Sequence, residues 1–214
     1  MISVLIATYN RAHFLEQCIQ SVRNSTFKDV EIVLVDDGST DDSQRFAKDV
    51  DVYLRTPHKG ISHARNKAMQ LASGVRYFIL DSDDWVEPTL IEKLNAKMDE
   101  GATLAFSDLM VCDGEQRTIM KMAKQDFNDC LKGKKIPHGS MMYDPWEVGP
   151  WFYDEKLESA VDYDYLLGLL SFNPVLGHIE EPLYNYRRHG TQEWGTQRQL
   201  DADKKIKEKW RNSI

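Results

Sequence analysis

Hydrophobic and polar positions in the first half of the chain switch repeatedly between two periods. Apolar runs rich in β-branched residues, Ile2 to Ala7 and Val30 to Val35, read as buried strands. Between them Phe14, Leu15, Cys18, Ile19 and Val22 recur on one face of a helix that Asn10 can cap. Asp36-Asp37-Gly38-Ser39-Thr40 ends the second strand as a turn-forming cluster. A short helix from about Asp42 to Lys48 and a strand around Asp51 to Arg55 follow. Ile61 to Ala72 predicts a helix with Ile61, Ala64, Ala68 and Leu71 inward and Gly74 at its end. Val75 to Leu80 is again a strand, Pro88 opens a helix burying Leu90, Ile91, Leu94 and Met98, and Thr103 to Phe106 is one more strand. This strand–helix alternation predicts an α/β fold: a mostly parallel sheet with helices on both faces.

Beyond about Ser107 the rhythm breaks. Residues 108–160 are mixed and hold five of the eight methionines, together with the Trp/Pro/Gly-rich stretch from Asp144 to Trp151. A helix returns near Asp162 to Phe172, with Tyr163, Leu166, Leu167 and Leu170 on one stripe, and short strands are expected at Val175 to Ile179 and Leu183 to Arg187. The segment from Gln197 to Arg211 is charged with a thin apolar face of Leu200, Ile206 and Trp210, which predicts a loosely docked surface helix. The break suggests two halves, 1–107 and 108–214, within one continuous domain.

Composition narrows the class. The 214 residues suffice for one full core, and 42% hydrophobic with 29% charged residues is ordinary for a soluble chain. A net charge of −7 argues against nonspecific nucleic-acid binding. Cys18, Cys112 and Cys130 are odd in number and lack CxxC spacing, which points to a reducing compartment and no zinc site. Met1 leads directly into a strand, so no signal peptide is expected, and no apolar run reaches the roughly 20 residues that span a bilayer. A cytoplasmic location is expected.

The strongest chemical signal is Asp81-Ser82-Asp83, followed by Asp84, directly after the apolar run Tyr77-Phe78-Ile79-Leu80. Carboxyls at the C-terminal end of a buried strand lie where open α/β sheets place ligands. So much like charge calls for a cation, and hard oxygen ligands suit Mg²⁺ or Mn²⁺ carrying a phosphorylated substrate.

Four ordered pieces, Ser3 to Arg11, Val33 to Asp41, Gly60 to Asn66 and Leu80 to Asp84, closely resemble the nucleotide-binding half of family 2 glycosyltransferases. The resemblance continues more weakly through Val148-Gly149, Asp162-Tyr163-Asp164 and Tyr186-Arg187-Arg188-His189. It implies a GT-A fold, a UDP-sugar donor, an Mn²⁺ or Mg²⁺ cofactor and inverting transfer to an acceptor hydroxyl. The first half would then bind the nucleotide-sugar, through Thr8, Tyr9, Asn10, Arg11, Asp37, Arg65, Asp81 and Ser82. Tyr9 would stack on the base and Asp37 accept the uracil N3–H, with Asp36 a helper or turn former. Asp81 is assigned to the ribose, Asp83 to the metal, and Asp84 to a supporting or helix-capping place. The small, mixed second half would bind the acceptor: a glycan, lipid-linked sugar, protein or small molecule. Asp162 is the general-base candidate, although Val161 stands where the family has glutamate, which leaves Asp164 and more remotely Glu158 as alternatives. His189 is a candidate metal ligand and Arg187 a candidate diphosphate fork. Trp146, Trp151 and Trp194 are acceptor-side aromatics. A nucleotidyltransferase or dinucleotide-binding dehydrogenase is disfavoured because Thr8-Tyr9-Asn10-Arg11 has no glycine. A catalytically degenerate nucleotide-sugar or glycan binder is the remaining alternative, favoured only by Val161.

Overall fold

A computed structural model describes residues 1–212 apart from 135, 150 and 191–195. Among the described residues nine strands form one sheet: β1 (Ile2–Thr8), β2 (Val30–Asp36), β3 (Val52–Arg55), β4 (Arg76–Ile79), β5 (Trp85–Val86), β6 (Leu104–Asp113), β7 (Gln116–Met120), β8 (Met142–Tyr143) and β9 (Leu176–Arg188). Their order is β3-β2-β1-β4-β8-β6-β9-β5, with β7 paired to β6. The first four are mutually parallel. Because β8 is antiparallel to both β4 and β6, the parallel pair β6–β9 runs in the same direction as β1 to β4. The sheet is therefore mostly parallel, and it runs unbroken through both halves of the chain.

Helices cover both faces. On one, α1 (Ala12–Arg23) and α3 (Leu90–Asp99) pack Leu15, Ile19, Ile91 and Leu94 against Ile2, Val4, Ile6 and Ile32. On the other, α2 (Ile61–Leu71) meets Leu5, Ala7, Val33 and Val35 through Ala64 and Ala68. Small side chains bring α2 close to the sheet, so Ile61 and Leu71 overhang it and are exposed, against expectation. On this same face α4 (Phe127–Leu131), α5 (Val161–Leu170) and α6 (Gln197–Arg211) share a second core with Ile79, Leu104 and Phe106.

Further elements differ from the sequence reading. Residues 108–120 are not irregular: β6 continues to Asp113 and turns back as β7. The two late strands are one, β9, whose irregularity beside Asp108 is absorbed at Pro182, a residue with no amide hydrogen to lose from a ladder. Gly74 is not a left-handed helix cap. A Cβ there would lie 2.6 Å from both the amide nitrogen and hydroxyl of Ser3, so close approach of β1 demands the glycine. Its N–H donates to buried Glu31, as do the Ser73 N–H and the Ser3 and Ser73 hydroxyls. Burial alone would raise the Glu31 carboxyl, yet these donors hold it below its ordinary value.

The helix α6 is docked, not loose. Ile206 and Trp210 are buried, while Leu200 stays exposed. Buried Asp164 on α5 accepts from Lys209 Nζ and Trp210 Nε1, each at 2.8 Å. That geometry gives Asp164 a structural task in holding α6. Asp164→Ala should lower stability by about 2–3 kcal/mol, since the indole N–H loses its acceptor and the Lys209 ammonium loses the nearer of its two carboxylates. Urea unfolding measures this, and turnover well below the transition should match wild type. A large loss of turnover without a stability change would return Asp164 to the reaction.

Candidate functional site

The C-terminal ends of β1, β2 and β3 come level at Thr8, Asp36 and Arg55. Thr8 is buried, and its hydroxyl has no hydrogen-bond partner among the described residues. Asn10, in the left-handed region at φ 53°, does not cap α1. Its side-chain carbonyl accepts from the Thr40 N–H at 2.8 Å, while Asp41 accepts from the Ala12 N–H at 2.9 Å. The loop after β2 is thereby clasped to the loop after β1. Asp36 is the turn former, accepting from the Ser39 N–H at 2.8 Å and the Tyr53 hydroxyl at 3.1 Å.

Asp37 is buried, with both carboxylate oxygens engaged. Oδ1 accepts from the Lys59 N–H at 2.9 Å and the Thr56 hydroxyl at 3.3 Å. Oδ2 accepts from the Gly60 N–H at 2.8 Å and His58 Nδ1 at 2.9 Å. The His58 ring also stacks on Tyr9, with centroids 4.1 Å apart and planes 17° from parallel.

At the end of β4 the aspartates diverge in role. Asp84 is buried and caps no helix: it accepts from the Tyr184 hydroxyl and the Arg187 N–H, both at 2.8 Å. Burial pushes its carboxyl well above the usual range, with Asp83 and Asp81 adding to the push. These bonds pin the end of β9, which delivers His189 to the site. His189 Nε2 lies 2.8 Å from Asp83 Oδ2, and Arg11 reaches within 3.9 Å of the same oxygen. Ser82 is buried between the two acids.

Arg187 does a structural job that its sequence motif did not suggest. Its Nε donates to the Asp83 carbonyl and its terminal nitrogen to Gln17, each at 2.7 Å. The guanidinium lies over Phe14 and Trp85, 4.7 and 4.5 Å from the ring centroids. It clamps β9 to α1 and the aspartate loop.

Arg65, projecting from α2, joins the halves. It donates to Asp81 at 2.8 Å and, through its other terminal nitrogen, to Asp162 in the first turn of α5. Burial would drive this guanidinium toward neutrality; the Asp162 and Asp81 carboxylates outweigh that and hold it charged. Its face rests on Tyr153, 5.2 Å from the centroid, and Tyr153 stacks on Tyr165 at 3.8 Å. Asp162 is 47% exposed, so the group remains open to an incoming molecule. Glu158 is instead an exposed partner of Arg198 at 3.2 Å.

Three site residues escaped the sequence reading. His58 was not considered, although it stands two places before Gly60. His138 is buried, with Nε2 2.7 Å from the Tyr153 hydroxyl and 3.9 Å from Asp162, and its Nδ1 has no partner among the described residues. Burial lowers its affinity for a proton, opposed by Asp162. Tyr184 places its hydroxyl between Asp84 and the Asp81 N–H. No periodicity marks these positions; only His138-Gly139-Ser140, a polar turn before a strand, offered a local hint. Of the tryptophans, Trp146 is 84% exposed, Trp151 packs against Phe172 and Trp210, and Trp194 lies outside the described residues.

Asp83 and His189 are the pair of side chains that would hold a divalent cation at this strand end. No group of three or more His, Cys, Asp or Glu side chains poised for a metal occurs among the described residues. One carboxylate beside one imidazole would suit a borderline ion such as Mn²⁺ better than Mg²⁺, with substrate phosphates and water supplying the remaining ligands. All three cysteines are free and buried. No helix of the described residues is long and apolar enough to cross a membrane.

Comparisons with known proteins show the family and the fold. The family model described as glycosyl transferase family 2 matches residues 3–146. The chain is 30% identical over 202 residues to chondroitin synthase of Escherichia coli, covering 89% of this chain and 29% of that protein. It is 28% identical over 204 residues to hyaluronan synthase of Pasteurella multocida, covering 89% and 21%. The chain thus spans less than a third of either relative. Among solved structures, S. aureus TarS 1–349 in complex with UDP superposes with a TM-score of 0.76 at 17% identity, covering 96% of this chain and 64% of that one. The same protein with UDP-GlcNAc gives 0.76 at 18% identity, with 89% and 59% covered.

Proposed function

The chain belongs to glycosyl transferase family 2, and from that membership we propose that it is a cation-dependent inverting transferase moving a sugar from a UDP-sugar to an acceptor hydroxyl. One observation carries the reading. At a single strand edge, Asp83 meets His189, while Arg65 ties neighbouring Asp81 to Asp162. The TarS structures named for UDP and UDP-GlcNAc support a uridine donor by likeness of fold.

In this reading residues 1–107 hold the donor and 108–214 receive the acceptor. Tyr9 stacks on the base, and the orphan Thr8 hydroxyl lies at the same strand end. Asp81 receives the ribose. Asp83 and His189 would hold Mn²⁺ or Mg²⁺, which when bound neutralises charge on the departing diphosphate. Arg11 and Arg65 supply further positive charge beside it, fixed before reaction and therefore costing no reorganisation during it. The acceptor oxygen bonds to the anomeric carbon as the carbon–oxygen bond to the diphosphate breaks, with its electron pair leaving on UDP. The hydroxyl proton passes to Asp162, the base of a single displacement that inverts the centre.

Arg65 imposes an order on these events. Asp162 is paired with the Arg65 guanidinium here. A diphosphate arriving beside Arg65 competes for that guanidinium and loosens its hold on Asp162. Asp162 is thereby released toward the acceptor hydroxyl once the donor is in place.

The direct test is a UDP-release assay over a panel of UDP-sugars with Mn²⁺ and mixed acceptor glycans. Cation-dependent UDP formation that rises with acceptor is expected. Donor binding without turnover on any acceptor would favour the catalytically degenerate reading.

A further inference from the structure

Resting on the uridine reading above, we propose that His58 is an internal occupant of the base subsite, which the incoming base must displace. Uracil offers a flat ring for stacking and an imide N–H that seeks an acceptor. The His58 imidazole already supplies both. Its ring covers Tyr9 at 4.1 Å, and Nδ1 lies 2.9 Å from Asp37 Oδ2 and 3.1 Å from the Asp37 carbonyl. Both of these neighbours are acceptors, so Nδ1 carries the proton and donates, as an imide N–H would.

The Asp37 carboxylate has about four acceptor positions, and four donors already fill them. A base reaching Asp37 must evict one. The Lys59 and Gly60 N–H groups belong to the backbone that enters α2 and cannot leave without unseating that helix. The backbone of 56–58 is pinned as well. Gly38, at φ 77°, approaches so closely that a Cβ there would lie 2.9 Å from the His58 nitrogen and 3.0 Å from the Thr56 carbonyl oxygen. Among the four donors, the imidazole is the one that also covers Tyr9. Its side chain is 56% exposed and can swing into solvent about χ1 while the loop stays in place.

The exchange is nearly balanced, one stacked ring with an N–H for another. The closed subsite keeps the Asp37 oxygens satisfied between donors and weakens nucleotide binding by the cost of displacement. It also selects for a donor heterocycle. A ring that presents a lone pair at that position, as cytosine does at N3, faces a carboxylate and gains nothing by evicting His58.

The experiment compares wild type with His58→Ala in titration calorimetry, using UDP and inorganic pyrophosphate, each with Mn²⁺. His58→Ala should bind UDP about ten-fold more tightly, the scale of one exposed stack and hydrogen bond. Pyrophosphate affinity should not change, because it lacks the base. His58→Phe, which restores a ring over Tyr9, should remove the gain. Equal or weaker UDP binding by His58→Ala, or an equal gain for pyrophosphate, overturns the proposal. If wild type binds pyrophosphate with Mn²⁺ and neither protein binds UDP more tightly than that, the uridine reading itself fails, and His58 has no base to compete with.

Discussion

Asp83→Ala should reduce UDP affinity in the presence of Mn²⁺ by at least about 100-fold, bringing it down to the level seen in chelator. Calorimetry with and without Mn²⁺ measures both limbs. The expectation follows from how little else the site offers a cation. Asp83 and His189 form a two-ligand set, with Arg11 facing the same carboxylate oxygen. Losing the carboxylate leaves one imidazole beside a guanidinium, an arrangement that repels a dication. Neighbouring carboxylates are poor substitutes. Asp81 is engaged by Arg65, and Asp84 is buried beneath Tyr184. Asp84 also needs its own bonds to keep β9, and hence His189, in place. Cation-dependent UDP binding that survives Asp83→Ala would move the cation elsewhere and remove the main support for the proposed chemistry. Binding in chelator should change little, since the base and ribose contacts remain.

Asp162→Asn should leave donor affinity near wild type while turnover falls by about 10²- to 10⁴-fold, the scale of losing a positioned base. The substitution keeps size and hydrogen bonding but removes the proton acceptor. It also removes the negative partner of Arg65, leaving that guanidinium freer to meet a diphosphate. Any change in donor affinity should therefore be toward tighter binding. Steady-state turnover together with UDP calorimetry separates the two effects. If turnover holds, the base is another group; Asp164 and Glu158 are disfavoured by position, and His138, 3.9 Å from Asp162, becomes the first to examine.

Much of the fold was legible because its signals are local. A buried parallel strand is a short β-branched run, and an amphipathic helix repeats its apolar residues over a few turns, so β1, α1, β2 and α3 could be read from a few neighbouring residues each. The second half was less legible. Strands β6 and β9 owe their length to each other, and their pairing tolerates Pro182 only through a bulge that no local pattern announces. The helix α6 looked loosely attached because its apolar face is thin and part of its anchoring is polar. The Asp164 carboxylate that holds Lys209 and Trp210 lies 45 and 46 residues away along the chain.

The sequence by itself determined the family, the strand-end position of the acidic cluster and the shortlist of chemically capable side chains, because each depends on residue type and short spacing. Tertiary structure decided which of those side chains can act together. Asp83 and His189 are 106 residues apart, and Arg65 and Asp162 are 97 apart. Their meeting depends on strand order and on the bonds from Asp84 and Tyr184 that fix the end of β9. It also placed Asp164 beneath α6 and Glu158 at the surface beside Arg198, and it set Arg187 between β9, α1 and the aspartate loop. The physical reason is common to all of these. A charged group's task is set by what surrounds it, and in this chain those surroundings are assembled from segments distant in sequence.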